Sequence, residues 1–355
     1  MNKLDMALRI LACPDCSGAL NAELVCPSCQ RSLAPQEDGI ISALPAAMEG
    51  ERQDKDQLQQ AIDVSAPEQH SDQIVLYEKA FHDEQASYYD SLFTDPLPLA
   101  KYYDCLIRRQ VFSFVDREPF VVDLCCGTGK SSLPLIEQGR FVVGIDVSRE
   151  MLRSYRKKCA ARGYENSLFI QADATRPPLR PSSCGAMIVI GGLHHIARRA
   201  ECMEHWCEAL RHDGILVLHE PLKTGKTSRV AVCLENLYAV TDPGRVWRAI
   251  RRRMGLRNGT DGPPPAEAEI HDFTPYERPF ASAEELLAVM PSRMQSVVLR
   301  SQGLLSFREF SAPLQGRAGQ PLAALIVRLD NWFSENGHMN WSGDTLFAVF
   351  RKSSA

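Results

Sequence analysis

Residues 120–151 read FVVDLCCGTGKSSLPLIEQGRFVVGIDVSREM and contain two apolar runs separated by a small-residue turn and a short helical pattern. The first run, Phe120–Leu124, is rich in β-branched residues, which is typical of a strand buried on both faces. The second run ends in Asp146. Gly127 and Gly129 follow the first run in a turn that lets a ligand approach the backbone. The stretch therefore predicts a strand–helix–strand unit with a ligand-binding turn and an acid at the ends of its strands.

The glycine positions distinguish this turn from two well-known phosphate-binding loops. A dinucleotide-binding fold needs G-x-G-x-x-G, but the third glycine position is Ser132. A P-loop needs a glycine five residues before Gly129, and Leu124 occupies that position inside the predicted strand. The Gly-Lys-Ser triplet that begins at Gly129 is therefore interpreted as accidental.

The pattern that remains, D-x-x-C-G-x-G from Asp123 to Gly129, resembles motif I of class I S-adenosylmethionine (SAM)-dependent methyltransferases. Cys125 replaces the first glycine of the usual motif, at a position that a small residue can fill. Three further apolar runs keep the order of this family. They end in Ala172-Asp173-Ala174, in Gly191-Gly192-Leu193-His194-His195 and in His219-Glu220-Pro221.

This resemblance implies an α/β fold, a Rossmann-like seven-stranded methyltransferase sheet with a helical insertion or lid. In an open α/β sheet, ligands bind at the edge where these acids and turns lie. The family assigns Asp146 to the ribose hydroxyls, Met151 to packing against the adenosine and Asp173 to the adenine amine. The full set of implied SAM contacts is Asp123, Cys125, Gly127, Gly129, Asp146, Val147, Met151, Asp173, Ala174 and Gly191.

Two Cys-Pro-x-Cys knuckles near the N-terminus predict a structural zinc site formed by Cys13, Cys16, Cys26 and Cys29. Four thiolates complete a closed tetrahedral shell, so the metal has no open position for catalysis. Two redox dithiols are the less favoured alternative, because such motifs normally begin a helix after a strand. Residues 8–45 also resemble the zinc-ribbon subunits that activate RNA and protein methyltransferases. Three roles remain open for the ribbon: stabilising the fold, covering an apolar face or helping to bind substrate.

The sequence divides into segments of different composition. Helical aromatic residues precede motif I, and there Tyr88 or Tyr89 is expected either to cap the SAM pocket or to pack in the core. The predicted organisation is a zinc ribbon (1–45), a polar linker (46–75) and a methyltransferase domain (76–355) with a helical cap (76–115) and an insertion (222–290).

Candidate catalytic residues are few, as expected if SAM carries the activation. The protein then needs to hold the acceptor in line with the methyl group, with a base where the acceptor is protonated. His194 and His195 are the first candidates for that base, because imidazole titrates near neutral pH. Either residue could instead bond the backbone of its own turn. His219 and Glu220, at the end of the next strand, are weaker candidates.

Composition limits the setting and the partners. The chain has 355 residues, enough for two domains, and a formal net charge of -4, which argues against a dominant nucleic-acid or membrane-binding field. No apolar run approaches the roughly 18–20 residues of a membrane span, and the N-terminus lacks a signal-peptide core. The twelve cysteines are not spaced like a secreted disulfide scaffold, so we expect a reducing cytoplasm.

Three functions are compatible with these features. The first is methyl transfer from SAM to a small-molecule metabolite or biosynthetic intermediate. The second is a tRNA or protein methyltransferase with its activator ribbon fused in. It would use the arginines at 248, 251, 252, 253 and 257 for phosphates, unless these form only a solvated helix face. The third is a non-catalytic SAM-fold binding module, against which the intact cofactor positions argue.

Overall fold

The computed structural model describes residues 2–48, 54–92, 98–223, 274–302, 320–336 and 345–354. Its strands form one sheet in the order β1-β4-β3-β2-β5-β6-β8-β7, in which β8 is antiparallel to both of its neighbours. The strands are β1 (Ile41–Ser42), β2 (Phe120–Leu124), β3 (Phe141–Asp146), β4 (Ser167–Gln171), β5 (Cys184–Ile190), β6 (Leu210–Pro221), β7 (Met294–Gln302) and β8 (Thr345–Lys352). Strands β2 to β8 are the predicted seven-stranded sheet, which confirms the fold class, and β1 adds a short eighth strand at one edge.

Helices cover the sheet. They are α1 (Lys3–Ile10), α2 (Lys55–Ala61), α3 (Ser71–Gln85), α4 (Tyr89–Leu92), α5 (Pro98–Val115), α6 (Leu133–Glu137), α7 (Arg149–Ala160), α8 (Arg199–Ala209), α9 (Ala283–Val289) and α10 (Gln320–Glu335). None of the helices in the described ranges is long and apolar enough to cross a bilayer.

Strand β2 lies at the centre of the sheet and is buried along its whole length. Its alternate residues face opposite sides, so Val122 and Leu124 join one apolar cluster while Val121 joins another. A parallel strand covered by helices on both faces needs apolar residues at every position, as the sequence predicted. The same packing places the ends of β2, β3, β4 and β5 at one edge.

The cysteine-rich segment packs directly onto this sheet. Leu11, Leu24 and Leu33 are fully buried in the same apolar cluster as Ile170 of β4. Backbone pairing continues the contact, because β1 runs parallel to β4 and pairs Ile41 with Ile170. The ribbon therefore covers an apolar face and extends one edge of the sheet.

Residues 54–75, which fall within the predicted polar linker, contain regular structure. Helix α2 lies in this segment, and α3 begins at Ser71, so the predicted boundary at residue 75 falls inside α3. Ile62 and Ile74 are buried against Tyr77 and Tyr276 in a third apolar cluster. The segment therefore carries apolar side chains among its polar ones, and their packing fixes the position of α3.

The predicted insertion is described only in part. Leu222 pairs with Phe280 in an isolated parallel bridge, and the N–H of Arg278 donates to the His194 carbonyl at 2.9 Å. These contacts attach residues 274–290 to the strand-end edge. The arginines at 248–257 lie outside the described residues.

Candidate functional site

A cavity opens at the carboxyl ends of the central strands, under α3 and α4. Strand ends supply its floor, and one face of α3 supplies its wall. It is lined by Ile74, Val75, Glu78, His82, Tyr89, Cys125, Gly127, Asp146, Val147, Met151, Asp173, Ala174, Thr175, Gly191, Gly192, His195, Ile196 and Ala197. All of the predicted SAM contacts except Asp123 and Gly129 line this cavity.

The glycine turn after β2 is tied to the end of β3. The Gly127 N–H donates to Asp146 Oδ2 at 2.7 Å, which fixes the turn beside the acid. Cys125 has φ +55°, in the left-handed region that favours glycine. The cysteine therefore holds a backbone conformation that glycine adopts freely, at a cost of about 1–2 kcal/mol.

Gly129 serves packing rather than the cavity wall. Its φ is +75°, and a Cβ at this position would lie 2.2 Å from the ring of Tyr155. Only glycine fits between the turn and α7, because both the backbone conformation and the space exclude a side chain.

Asp123 lies beneath the turn and is 2 % exposed. It accepts a hydrogen bond from the Ser132 hydroxyl, which also lies 2.7 Å from the Tyr155 hydroxyl. Burial raises the pKa of Asp123 to about 7, and the Ser132 hydrogen bond only partly opposes this. Asp123 therefore supports the turn from below and does not reach the cavity.

Two further carboxyl groups face the cavity from neighbouring strand ends. Asp146 also accepts the Ser148 N–H at 2.8 Å, and Asp173 accepts the Thr175 N–H at 2.8 Å. Burial raises the pKa of both groups. Each carboxylate has lone pairs beyond these backbone bonds, so a ligand that donates hydrogen bonds would stabilise its charged form.

The cap is held to the strand ends by polar contacts. Asp83, near the end of α3, accepts the Ser148 hydroxyl at 2.6 Å. Asp90 of α4 accepts the Thr128 hydroxyl of the glycine turn at 2.6 Å. Tyr89 lines the cavity, whereas Tyr88 is 42 % exposed and lies outside the lining. Of the two aromatic cap residues considered, the structure therefore brings Tyr89 to the site.

The two predicted histidines have different surroundings. His194 does not line the cavity, and its Nδ1 lies 2.8 Å from Glu220 Oε2. Glu220 is fully buried and also accepts the backbone N–H groups of Gly192 and Leu193 at 3.0 and 2.9 Å. Burial alone would raise the pKa of Glu220, but His194 and these N–H groups lower it. His194 and Glu220 thus anchor the turn after β5, and His219, also buried, lies outside the cavity lining.

His195 faces the cavity together with two residues of α3. Its Nδ1 lies 3.2 Å from Glu78 Oε2, and His82 Nε2 lies 3.3 Å from the same oxygen. Burial alone would raise the pKa of Glu78, but the two imidazoles lower it well below its usual range. Sequence reasoning missed Glu78 and His82. The available signal was their i, i+4 spacing, which places both on one face of a helix.

The four knuckle cysteines come together as predicted. Sγ atoms of Cys13 and Cys29 are 3.4 Å apart, those of Cys16 and Cys26 are 3.4 Å apart, and all four lie within 4.8 Å of one another. Tetrahedral coordination with Zn–S bonds of about 2.3 Å separates sulfur atoms by about 3.8 Å.

The backbone of the two knuckles is equivalent. The N–H of Ser17 donates to the Cys13 carbonyl at 2.8 Å, and the N–H of Gln30 donates to the Cys26 carbonyl at 2.8 Å. Each donor follows the second cysteine of its knuckle and has a positive φ, +57° and +61°. Both turns therefore aim their thiols at one point, which fits zinc.

Residues 121–214 match the sequence model of the family described as methyltransferase domain. The chain is 27% identical over 133 residues to the ubiquinone/menaquinone biosynthesis C-methyltransferase UbiE of Campylobacter jejuni, covering 36% of this chain and 54% of the relative. It is 32% identical over 100 residues to the demethylmenaquinone methyltransferase of Clavibacter sepedonicus, covering 28% of this chain and 40% of the relative. The chain spans about half the length of the first of these relatives.

The chain is also similar to an rRNA methyltransferase and to one further protein of solved structure. The chain is 34% identical over 61 residues to the 23S rRNA (uracil(1939)-C(5))-methyltransferase RlmD of a Marinomonas species, covering 17% of this chain and 14% of the relative. A solved structure of phosphoethanolamine N-methyltransferase 1 from Haemonchus contortus, with phosphoethanolamine and S-adenosylhomocysteine, aligns with a TM-score of 0.48 and 15% identity. That alignment covers 80% of this chain and 50% of the other.

Proposed function

We propose that the chain transfers a methyl group from SAM to a small molecule, because residues 121–214 match the methyltransferase-domain model. The observation that carries this proposal is the cavity at the strand ends. The family match and the lining coincide there, since Cys125, Gly127, Asp146 and Asp173 all belong to both.

The buried acids of the cavity suit the hydrogen-bond donors of SAM. We assign Asp146 to the ribose hydroxyls and Asp173 to the adenine amine, and both are carboxylates with raised pKa values that gain from such donors. Met151 is 1 % exposed and lines the cavity between them, where its thioether can pack against the adenine ring. Gly127 and Gly191 leave room for the cofactor to approach the backbone.

Bound SAM would supply an electrophilic methyl group, so the protein needs mainly to position the acceptor. The cavity lining under α3 includes the cap residues Ile74, Val75 and Tyr89 and the turn residues Ile196 and Ala197. These largely apolar side chains would shield bound reactants from water. Of the two predicted bases, only His195 lies where it could take a proton from an acceptor in the cavity.

A methyl acceptor with an apolar body fits this cavity lining. A small-molecule acceptor also agrees with two of the relatives. Their names place them in ubiquinone and menaquinone biosynthesis. Methylation of RNA is the second candidate, because another relative is named as an rRNA methyltransferase. Residues 8–45 of this chain also resemble the zinc-ribbon subunits that activate RNA and protein methyltransferases. The segment matched to the rRNA methyltransferase is shorter, 61 residues against 133.

For the ribbon we propose a structural Zn²⁺ held by Cys13, Cys16, Cys26 and Cys29. The sulfur separations and the equivalent knuckles support it. Four thiolates leave the metal no open position, so its role is to hold the ribbon on the edge of the sheet.

The test uses SAM with a radiolabelled methyl group. Purified protein would be incubated with a cellular extract, which is then separated into small-molecule, RNA and protein fractions. We expect label in the small-molecule fraction that is lost with Asp146→Ala. Label confined to RNA or protein would overturn the small-molecule proposal, and label in RNA would favour the second candidate.

A further inference from the structure

The cavity contains a second set of side chains at metal-ligand spacing, separate from the four cysteines. Glu78, His82 and His195 each present one ligand atom, and these atoms lie within 4.8 Å of one another. Helix α3 supplies two of them, one turn apart, and the turn after β5 supplies the third. The three ligands therefore come from two elements that meet at the cavity wall.

The polar atoms of this set lie close together but are not aligned as hydrogen bonds. Glu78 is 5 % exposed, and its Oε2 has no hydrogen-bond partner among the described residues although both imidazoles lie 3.2–3.3 Å away. His195 Nδ1 is likewise buried without a partner in the described part of the chain. A buried carboxylate oxygen between two imidazole nitrogens is an arrangement that stabilises a cation.

The separations match a coordination shell. Zinc binds imidazole nitrogen and carboxylate oxygen at about 2.0–2.2 Å, so two ligands in tetrahedral geometry lie about 3.4 Å apart. The measured separations from Glu78 Oε2 are 3.3 Å to His82 and 3.2 Å to His195.

The other oxygen of Glu78 is already held in place. Glu78 Oε1 accepts the Thr274 hydroxyl at 2.5 Å. An outer hydrogen bond of this kind commonly orients a ligating carboxylate and directs its free oxygen toward the metal.

From this arrangement we propose that Glu78, His82 and His195 bind a divalent transition-metal ion in the cavity. Two imidazoles and one carboxylate suit Zn²⁺, Co²⁺ or Fe²⁺ and leave at least one position open. All three residues line the cavity, so the open position faces the space in which a small molecule would bind. His195 acts here as a ligand, and its Nδ1 is then not available as a base.

A neighbouring set is less suitable. His194, His195 and Glu277 also have ligand atoms within 4.8 Å of one another. However, His194 Nδ1 is engaged by Glu220, and His194 does not line the cavity. Glu277 lies close to the proposed site but is not one of its three ligands, so it provides a control residue.

The experiment measures metal content and spectra of the full chain after equilibration with Co²⁺, followed by removal of unbound ion. We expect about two metal ions per chain, counting zinc and cobalt together. Cobalt in the ribbon gives thiolate charge-transfer absorption, and cobalt in the cavity gives only weak visible bands from nitrogen and oxygen ligands. Glu78→Gln and His82→Gln should each weaken the second ion at least roughly tenfold and leave the ribbon metal unchanged.

Glu277→Gln is the matched control and should retain both metals. A single metal in the wild-type chain would overturn the proposal. So would loss of the second ion in Glu277→Gln with retention in His82→Gln. SAM titration of the same samples keeps the two proposals apart, because a chain that binds the second metal without SAM contradicts the proposed function alone.

Discussion

Two clusters of potential metal ligands differ in how the chain builds them. The four cysteines lie within 17 residues, in two equivalent knuckles that close around one point. Glu78 and His195 are 117 positions apart and meet only because α3 packs over the end of β5. The first cluster is closed and the second opens into a cavity. Local spacing thus suits a structural site, whereas a site that must admit a ligand is assembled from distant elements.

Loss of a cysteine should have the largest effect on stability. Cys13→Ser removes one of four thiolates, so we expect loss of zinc and about 4 kcal/mol or more of stability. His82→Gln, in the open cluster, should cost less, about 1–2 kcal/mol, because His82 is only partly buried and a tenfold weaker metal site loses about 1.4 kcal/mol. Urea unfolding with zinc analysis measures both. Equal losses in the two variants would show that the clusters do not differ in this way.

The buried acid beneath the glycine turn should give the fold a pH dependence between about pH 4 and pH 7. The pKa of Asp123 is raised from 3.8 to about 7 in the folded chain, so the native state holds an extra proton between these values. Its contribution is complete below about pH 4 and is lost as the pH rises through about 7. Asp123→Asn cannot ionise. It should therefore gain stability relative to the wild type at about pH 8.5 compared with about pH 5, by at most about 3 kcal/mol.

Urea unfolding of both proteins at the two pH values measures this gain. Asp116→Asn, in an exposed ion pair with Arg140, is the control and should show no such change. Parallel pH profiles of Asp123→Asn and the wild type would contradict the buried, protonated state of Asp123.

A smaller effect is expected where the ribbon meets the central sheet. Asp38 accepts hydrogen bonds from Arg149 at 2.6 and 2.9 Å and from Arg153 at 2.9 Å. Burial alone would raise the pKa of Asp38, but the two guanidinium groups lower it, so the ion pair is present at neutral pH. Asp38→Asn should cost about 1–2 kcal/mol and leave zinc bound. Zinc loss in this variant would mean that the ribbon depends on α7 for its own fold.

Much of the fold was predictable because its signals are local. Apolar runs such as 120–124 marked the strands, and the knuckles marked the cysteine cluster. The glycine turn indicated that a ligand binds at the edge of the sheet where the parallel strands end. The predicted SAM contacts remain predictions as contacts, although most of them line one cavity.

What the sequence did not indicate depends on contacts between distant residues. The predicted helical cap (76–115) includes Glu78 and His82, but nothing near them shows which face of α3 lies over the strand ends. Ile62 and Ile74 fix that helix through packing against Tyr276. The two histidines of one turn looked alike in sequence. Only the buried Glu220, 26 positions after His194, separates an anchored His194 from a His195 that faces the cavity.

The central claim is that the cavity at the strand ends binds SAM, and calorimetric titration of the full chain with SAM tests it most directly. Asp146→Ala removes the proposed ribose acceptor, and Asp146→Asn keeps one acceptor oxygen in case the alanine variant unfolds. Asp116→Ala, on the exposed surface, is the control. The account predicts saturable binding by the wild type and Asp116→Ala, and at least about tenfold weaker binding by both Asp146 variants. An unchanged dissociation constant in folded Asp146→Ala, or no binding by the wild type, would contradict it.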